Sequence, residues 1–136
     1  MPTKIAIQGG QASFHDIAAN EYFPFEIEII ECSTFEKLCQ VLATGEADYA
    51  FMAIENSIAA SILLNYQLIQ NYELNIVGEH QIRIVQNIMA LPGQKIEQIK
   101  KVRSHYMALR QCNDFLNAHP QIEIEEYHDT ADAAKL

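Results

Sequence analysis

The amino-acid sequence predicts an α/β fold in two lobes, on three observations. Strand-type and helix-type patterns alternate from the first residues onward, which is typical of a parallel sheet with connecting helices. The run from Tyr49 to Ile54 is continuously apolar, as expected of a strand covered on both faces. A long apolar stretch in the middle of the chain is broken at Gly78-Glu79, which indicates a crossing between lobes. We therefore place the lobes at residues 1–77 and 78–136, the second of them incomplete.

The first lobe begins with a strand, a helix and a second strand. The apolar run from Lys4 to Gln8 predicts the first strand. Ser13 and Asp16 fit a capping box that opens the first helix, and Pro24 stops that helix. The isoleucine-rich run at residues 27–31 predicts the second strand.

A second helix, a third strand and a third helix complete this lobe. Ser33 and Glu36 fit another capping box, and Gly45 closes the second helix. The apolar residues of that helix are Phe35, Leu38, Cys39 and Leu42. The third strand covers residues 49–54 and the third helix about 61–72. The third helix turns three residues inward: Ile62, Tyr66 and Ile69. This βαβαβα order requires a parallel sheet with right-handed crossovers.

The second half of the chain predicts fewer elements. A strand-prone stretch covers residues 74–91. It is followed by a strand at 101–104, a helix at about 106–118 and a strand at 122–127. The residues from Thr130 favour a helix but allow only one or two turns, so we expect the fold to continue past Leu136.

The composition excludes several classes of function. A formal net charge of −9 argues against binding to nucleic acid or to an anionic membrane surface. No segment stays apolar over the roughly 18 residues that a membrane-spanning helix needs. The first strand leaves no room for a signal peptide, so we expect a cytoplasmic protein.

The cysteines and histidines predict no metal site. The three cysteines have neither a disulfide-type nor a zinc-type spacing, so we predict buried free thiols at Cys32, Cys39 and Cys112. The five histidines also lack metal-ligand spacing. All of them except His105 are best interpreted as surface or capping residues.

Polar residues follow the predicted strands at four places. Ligands of open parallel sheets bind beyond the carboxyl ends of the strands. The four places are Ser13 after Gly9-Gly10, Glu55-Asn56-Ser57, Ser104-His105 and Asp129-Thr130. A hydroxyl residue after a strand is most often only a helix cap. Four such residues at equivalent positions nevertheless indicate a binding cleft.

Glu55 and Asn56 are the most unusual of these residues, because an acid and an amide end an apolar strand. The carboxylate could hold a substrate hydroxyl, and the amide can both donate and accept. Glu55 could instead tie down a neighbouring loop. Gln111 lies two helical turns after Ser104, so the two share a helix face with Ala108 between them. A solvent-facing polar stripe would have the same spacing.

Four segments resemble those of prephenate dehydratases, in the order in which that family has them. Gly45-Glu46-Ala47-Asp48-Tyr49, followed by Ala53-Ile54-Glu55-Asn56-Ser57, resembles the central signature of the family. The segment from Ser104 to Cys112 is similar to Ser-His-Pro-x-Ala-Leu-x-Gln-Cys. Gly9 to His15 resembles a diverged Gly-Pro-x-Gly-Thr-Phe-Ser loop, and Asp129-Thr130-Ala131 resembles Ser-Thr-Ala. The sequence departs from the family at four loop positions: Gly10, Ala12, Ala53 and Tyr106.

The resemblance implies a fold and an activity. The fold is that of type 2 periplasmic binding proteins, with parallel or mixed sheets in two lobes, a site in the interlobe cleft and usually a homodimer. The activity is conversion of prephenate to phenylpyruvate, carbon dioxide and water in phenylalanine biosynthesis, without a metal or an organic cofactor. The Thr-Arg-Phe block with the family's principal catalytic threonine is not among these 136 residues, nor is its phenylalanine-binding ACT domain. We therefore expect the chain alone to be inactive or nearly so.

The resemblance also assigns roles to residues of this chain. It implies catalytic roles for Glu55, Asn56 and Gln111. The residues that we expect to bind the substrate are Ser13, Ser57, Ser104, His105 and Thr130.

Two other functions stay open. A non-catalytic module that binds small anions would have the same type of fold. A fragment of a dinucleotide-dependent dehydrogenase is suggested by Gly9-Gly10 and by Glu31 at the end of the second strand. We discount the dehydrogenase, because Gln11 and Ala12 occupy later positions of the Gly-x-Gly-x-x-Gly pattern.

Overall fold

Two units make up the chain, Met1–Arg83 and Ile84–Leu136. The structure is a computed structural model that describes residues 1–57, 60–128 and 130–135, without the side chains of residues 60, 61, 131, 132 and 135. The boundary that the sequence suggested, between residues 77 and 78, stays a prediction. The described helices include none with the length and apolar character that crossing a membrane demands.

The first unit holds five strands and three helices among its described residues. The strands are β1 (Thr3–Gln8), β2 (Ile27–Cys32), β3 (Tyr49–Phe51), β4 (Glu55–Asn56) and β5 (Ala60–Ser61). The helices are α1 (Phe14–Tyr22), α2 (Phe35–Ala43) and α3 (Leu63–Asn71). The first three strands form a parallel sheet in the order β2-β1-β3. The predicted α/β class with a parallel sheet is confirmed.

The central strand β1 carries the core of the first unit. Ile5, Ala6 and Ile7 are fully buried. Ile5 and Ile7 pack with Ala19 of α1, whereas Ala6 packs on the other face with Leu38 and its neighbours in α2. Successive side chains of a strand point to opposite faces, so an unbroken apolar run is what a sheet covered by helices on both sides requires.

The third strand is shorter than predicted. The sequence suggested one buried strand over residues 49–54, but β3 ends at Phe51 and its first residue, Tyr49, is 43% exposed. Only the three residues of β3 have partners in β1, at Ile5, Ala6 and Ile7. Residues after Phe51 are therefore no longer paired with β1.

The helix caps agree with the prediction in one case and differ in the other. Ser13 caps α1, and its Oγ accepts the N–H of Asp16 at 3.3 Å. The capping box at Ser33 and Glu36 was wrong, since the hydroxyl of Thr34 caps α2 by accepting the N–H of Lys37 at 3.0 Å. Gly45 closes α2 as predicted, with a positive φ of 79° that suits glycine.

The third helix does not bury the predicted residues. Ile62 precedes the helix and Tyr66 is exposed, whereas Asn65 is fully buried. The inward side of α3 instead carries Asn65, with Leu68 and, just after the helix, Tyr72 packed against the core.

The strand-prone stretch after α3 forms no helix or strand over residues 72–95. The part of it that belongs to the first unit packs on helix α1. The Nε2 atom of His80 lies 2.9 Å from a carboxylate oxygen of Glu21, and its ring contacts Tyr22 edge-on. Gly78 lies so close to Tyr22 that a Cβ there would meet the phenol oxygen. Apolar side chains further along, such as Met89, stay exposed. A strand pattern forms a strand only when a partner strand is present.

The second unit contains a short parallel pair of strands and three helices among its described residues. Its elements are a 3-10 turn (Ile96–Gln98), β6 (Lys101–Ser104), α4 (Tyr106–Gln111), α5 (Asn113–Asn117), β7 (Glu123–Glu126) and α6 (Thr130–Lys135). Lys101 pairs with Glu123 and Arg103 with Glu125 in the register of β6 and β7. Each of these pairs is also an ion pair, at 3.6 and 2.9 Å. The predicted helix over 106–118 is divided at Cys112 into α4 and α5.

The cysteines are free thiols, as predicted. Cys32 and Cys39 are buried and Cys112 is half-buried. Burial raises the pKa of each of the three thiols. A raised pKa lowers the fraction of reactive thiolate, so these cysteines are structural in character.

Candidate functional site

Glu55 and Asn56 form one strand of a two-residue hairpin. Glu55 pairs with Ser61 and Asn56 with Ala60 in antiparallel register. The two residues therefore do not end the buried strand, as the sequence suggested, but follow it after residues 52–54. Ser57 follows β4 and is exposed. The hairpin thus carries an acid and an amide at successive positions of a strand that lies outside the apolar sheet.

Tyr66 of α3 contacts this hairpin. Its hydroxyl donates a hydrogen bond to Oε1 of Glu55 at 2.7 Å. This hydrogen bond raises the pKa of Tyr66, with burial and the negative charge of Glu55 acting in the same direction. The sequence assigned Tyr66 to the core. Its hydrogen bond to Glu55, eleven positions earlier, could not be predicted from the hydrophobic pattern. The glutamate thus has a defined hydrogen-bond donor on the neighbouring helix.

Ser13 lies at the start of α1 with a side chain only 4% exposed. Its hydroxyl oxygen accepts the N–H of Asp16, and the carboxylate of Asp16 accepts the N–H of Ala12 at 2.8 Å. Ala12 has a positive φ of 67°, which is unusual for a residue other than glycine. These bonds make Ser13 part of a tightly bonded turn after β1.

Two further side chains hold the residues that precede the hairpin. The Nε2 atom of His15 accepts the N–H of Ala53 at 3.1 Å, and the Nδ2 atom of Asn65 donates to the carbonyl oxygen of Ala53 at 2.7 Å. The prediction of a surface or capping role for His15 was wrong. Its partner lies 38 positions away, so only the fold brings the two together.

The second unit holds the remaining predicted residues. Ser104 ends β6, and His105 caps α4 by accepting the N–H of Met107 on its Nδ1 at 3.1 Å. A neutral His105 ring therefore carries its hydrogen on Nε2. Gln111 ends α4, where its Oε1 accepts a hydrogen bond from the side chain of Gln86 at 3.1 Å. Thr130 is the first residue of α6, and Asp129 lies outside the described residues.

A cavity of about 270 Å³ lies elsewhere in the second unit. It is lined by residues of α4, α5 and β7, among them Tyr106, Leu116 and Ile124. Ser104, His105 and Gln111 do not line it.

The described residues hold no group of three histidine, cysteine, aspartate or glutamate side chains that could bind a metal ion. The side chains near the hairpin are carboxylate, amide, imidazole, phenol and hydroxyl groups. Such groups can orient a substrate and exchange protons or hydrogen bonds with it.

Comparison with known proteins identifies the family. The profile of the family described as prephenate dehydratase matches residues 5–136. Arogenate dehydratase 5, chloroplastic, from Arabidopsis thaliana is 38% identical over 133 residues, which cover 97% of this chain and 31% of that protein. The bifunctional chorismate mutase/prephenate dehydratase of Buchnera aphidicola is 32% identical over 138 residues, which cover 99% of this chain and 36% of that protein. The chain thus spans about a third of the length of these relatives.

A solved structure has a similar fold. The solved structure described as "GqqA- a novel type of quorum quenching acylases" matches the present chain with a TM-score of 0.75 and 26% sequence identity. The match covers 95% of this chain and 46% of that chain. Because the family profile spans nearly all of the sequence, the chain belongs to the prephenate dehydratase family.

Proposed function

We propose that this protein catalyses the decarboxylating dehydration of prephenate to phenylpyruvate. The observation that supports the proposal best is the hairpin, in which Glu55 and Asn56 are consecutive residues of one strand and the Tyr66 hydroxyl is bonded to Glu55. Membership of the family supports the reaction class.

The reaction requires that the substrate is held in a fixed orientation and that one proton is donated to the departing hydroxide. The bond between the ring carbon and its carboxylate breaks, and its electron pair enters the ring as carbon dioxide leaves. The bond between the opposite ring carbon and its hydroxyl breaks as well, and the departing hydroxide takes up a proton to become water. Aromatisation of the ring supplies much of the driving force. Positioned proton donation contributes on the order of 10²–10⁴ in rate.

The charge of the hairpin favours one orientation of the substrate. Prephenate carries two carboxylates, which an ionised Glu55 would repel. We therefore assign Glu55 and Asn56 to the hydroxyl end of the ring, where a carboxylate can accept a hydrogen bond and an amide can donate or accept one. Gln111 is assigned to the same end on the strength of the family resemblance. The carboxylates are assigned to the predicted binding residues Ser13, Ser57, Ser104, His105 and Thr130.

Arogenate is a second candidate substrate. Several relatives, such as arogenate dehydratase 5 of Arabidopsis thaliana and arogenate dehydratase 2 of Petunia hybrida, carry that substrate in their names. Arogenate differs from prephenate in having an ammonium group in place of the keto oxygen of the side chain. The ratio of kcat/KM for the two substrates decides between them.

A non-catalytic binding module is the alternative from another class. Prephenate is added to the protein, phenylpyruvate is read by its absorbance in alkali, and the melting temperature is measured in parallel. If the protein is a dehydratase, we expect phenylpyruvate to form and the melting temperature to rise. A raised melting temperature without product would identify a binding module. Neither product nor a thermal shift would contradict both functions.

The catalytic assignments have their own test. In a full-length version that carries the Thr-Arg-Phe block, replacing Asn56 or Gln111 by alanine should lower the turnover of prephenate by at least about tenfold, because each variant loses a polar contact to the reacting end of the substrate. Unchanged kinetics in both variants would contradict the catalytic assignments of Asn56 and Gln111.

Oligomeric state and location are separate proposals. We propose that the protein works as a homodimer in the cytoplasm, on the family resemblance and on the sequence. Light scattering coupled to size-exclusion chromatography measures the oligomeric state, and fractionation of the source cells determines the location.

A further inference from the structure

Asn65 is a buried amide on a largely exposed helix. Its side chain is 2% exposed, whereas Leu63 and Leu64 of the same helix are 74% and 73% exposed. Burial of an amide is unfavourable unless its polar atoms have partners. The Nδ2 atom of Asn65 donates to the carbonyl oxygen of Ala53 at 2.7 Å. Hydrogen bonding to this carbonyl, rather than apolar packing, therefore accounts for a buried asparagine at this position.

His15 contacts the other side of the same residue. Its Nε2 accepts the N–H of Ala53 at 3.1 Å, which requires a ring without a hydrogen on Nε2. The ring also lies edge-on against Phe35, with 5.4 Å between the ring centroids. The contact with Phe35 and the hydrogen bond to Ala53 together orient the imidazole.

Ala53 is thus bonded through both its N–H and its carbonyl to side chains of two different helices. The regular ladder of β3 has already ended at Phe51, so these side chains satisfy backbone groups that the sheet no longer serves. The next carbonyl, that of Ile54, accepts the N–H of Ile62 at 2.8 Å. Glu55 follows Ala53 by two residues, which span at most about 7 Å.

Helix α3 contacts this segment twice with consecutive residues. Asn65 bonds the carbonyl of Ala53, and Tyr66 bonds the carboxylate of Glu55. A displacement of Ala53 would therefore carry Glu55 out of register with Tyr66.

We infer that His15 and Asn65 are a pair of positioning residues that hold Ala53 through its N–H and its carbonyl group and thereby determine where Glu55 and Asn56 lie. The effect of the pair on substrate rests on the proposed function. The placement of the hairpin does not, and it can be measured without a substrate.

Four variants separate the hydrogen bonds from general packing. His15→Phe keeps an aromatic ring beside Phe35 but has no acceptor, whereas His15→Gln restores an acceptor at similar reach. Asn65→Leu keeps the size of the side chain and removes the donor. Thr34→Ala is the matched control, because it removes a helix cap in the same unit without touching Ala53.

The substrate-free readout is hydrogen exchange at the amide of Ile62, which bonds the carbonyl of Ile54 next to Ala53. We expect exchange at least about fivefold faster in His15→Phe and Asn65→Leu than in Thr34→Ala, and recovery in His15→Gln. Nitrogen NMR of the unaltered protein should find the hydrogen of His15 on Nδ1. A hydrogen on Nε2, or an Ile62 amide as slow in both disruptive variants as in the control, would overturn the inference.

The substrate readout is the Kd for prephenate. We expect it to rise about fivefold or more in His15→Phe and Asn65→Leu, to recover in His15→Gln and to stay unchanged in Thr34→Ala. Equal affinity in all four variants, with binding to the unaltered protein intact, would overturn the positioning role. If the unaltered protein does not bind prephenate, the proposed function fails, and hydrogen exchange still decides whether the pair places the hairpin.

Discussion

The hydroxyl of Tyr66 donates a hydrogen bond to Oε1 of Glu55 across 2.7 Å and so links helix α3 to the hairpin of the candidate site. A carboxylate that takes part in a reaction needs a fixed orientation, and a neighbouring phenol supplies it without adding charge. The bond connects two residues that lie eleven positions apart in the sequence. Its consequences can be measured in binding and in stability.

Replacing Tyr66 by phenylalanine should weaken prephenate binding by about threefold to tenfold, because Glu55 loses the donor that orients it. The fold should be little affected, since the substitution removes only the hydroxyl group of a residue that is 38% exposed. Titration calorimetry measures the Kd. Tyr72→Phe is the control, because the hydroxyl of Tyr72 bonds Glu36 at 3.4 Å instead. An equal loss of affinity in both variants would contradict a specific role for Tyr66.

The same hydrogen bond predicts a dependence of stability on alkaline pH. The pKa of Tyr66 is raised above its ordinary value, so the folded state holds the phenol proton more tightly than the unfolded state does. This contribution to stability is complete below the unfolded pKa of about 10 and is lost as the pH rises through the folded pKa. Urea unfolding at a series of pH values should show the advantage of the unaltered protein over Tyr66→Phe shrinking above pH of about 10. A constant difference would argue against the bond.

Thr34→Ala should destabilise the protein by about 1 kcal/mol, because the Thr34 hydroxyl satisfies the free N–H of Lys37. Ser33→Ala is the matched control one residue earlier and should change the free energy of unfolding by less than about 0.5 kcal/mol. Both values come from urea denaturation followed by circular dichroism. The opposite ranking would mean that the cap first predicted from the sequence, at Ser33, is the correct one.

The central part of the first unit could be predicted from the sequence because its signals are local. An apolar run such as residues 4–8, a hydroxyl before a helix and a glycine after one depend only on neighbouring residues. The choice between Ser33 and Thr34 as cap could not be made in this way, because both carry a hydroxyl and only the folded geometry shows which one accepts the N–H of Lys37. The third strand was overestimated because its apolar pattern continues past the point where β1 can pair with it.

The sequence predicted only those residues of the candidate site whose polarity differs from that of their neighbours in the chain. Glu55 and Asn56 stood out as polar residues after an apolar run. His15 and Asn65 did not, because their partners are the backbone N–H and carbonyl of Ala53, and backbone groups are the same at every such position of the sequence. Tyr66 was assigned to the core from its spacing alone. Contacts between residues that lie far apart in the sequence cannot be predicted from the local hydrophobic pattern.

Cys39 should react slowly with a thiol reagent in the folded protein. Its side chain is fully buried, and burial, with a smaller contribution from the charge of Glu36, raises its pKa. Access and a low thiolate fraction both limit the reaction. Cys112 is half-buried and should react first. The rates are measured with a chromogenic disulfide at a pH of about 8, near the ordinary thiol pKa, and assigned by mass spectrometry. Faster reaction at Cys39 would contradict the packing around α2.

The most direct test of the site at the hairpin is the affinity of Asn56→Ala for prephenate, measured by titration calorimetry beside Asn71→Ala. Asn71 is an exposed amide at the end of α3 in the same unit and lies outside the proposed site. We predict that the Kd rises by about tenfold or more in Asn56→Ala and stays within about twofold in Asn71→Ala. Equal affinities of the two variants and the unaltered protein would contradict the assignment of the site to the hairpin.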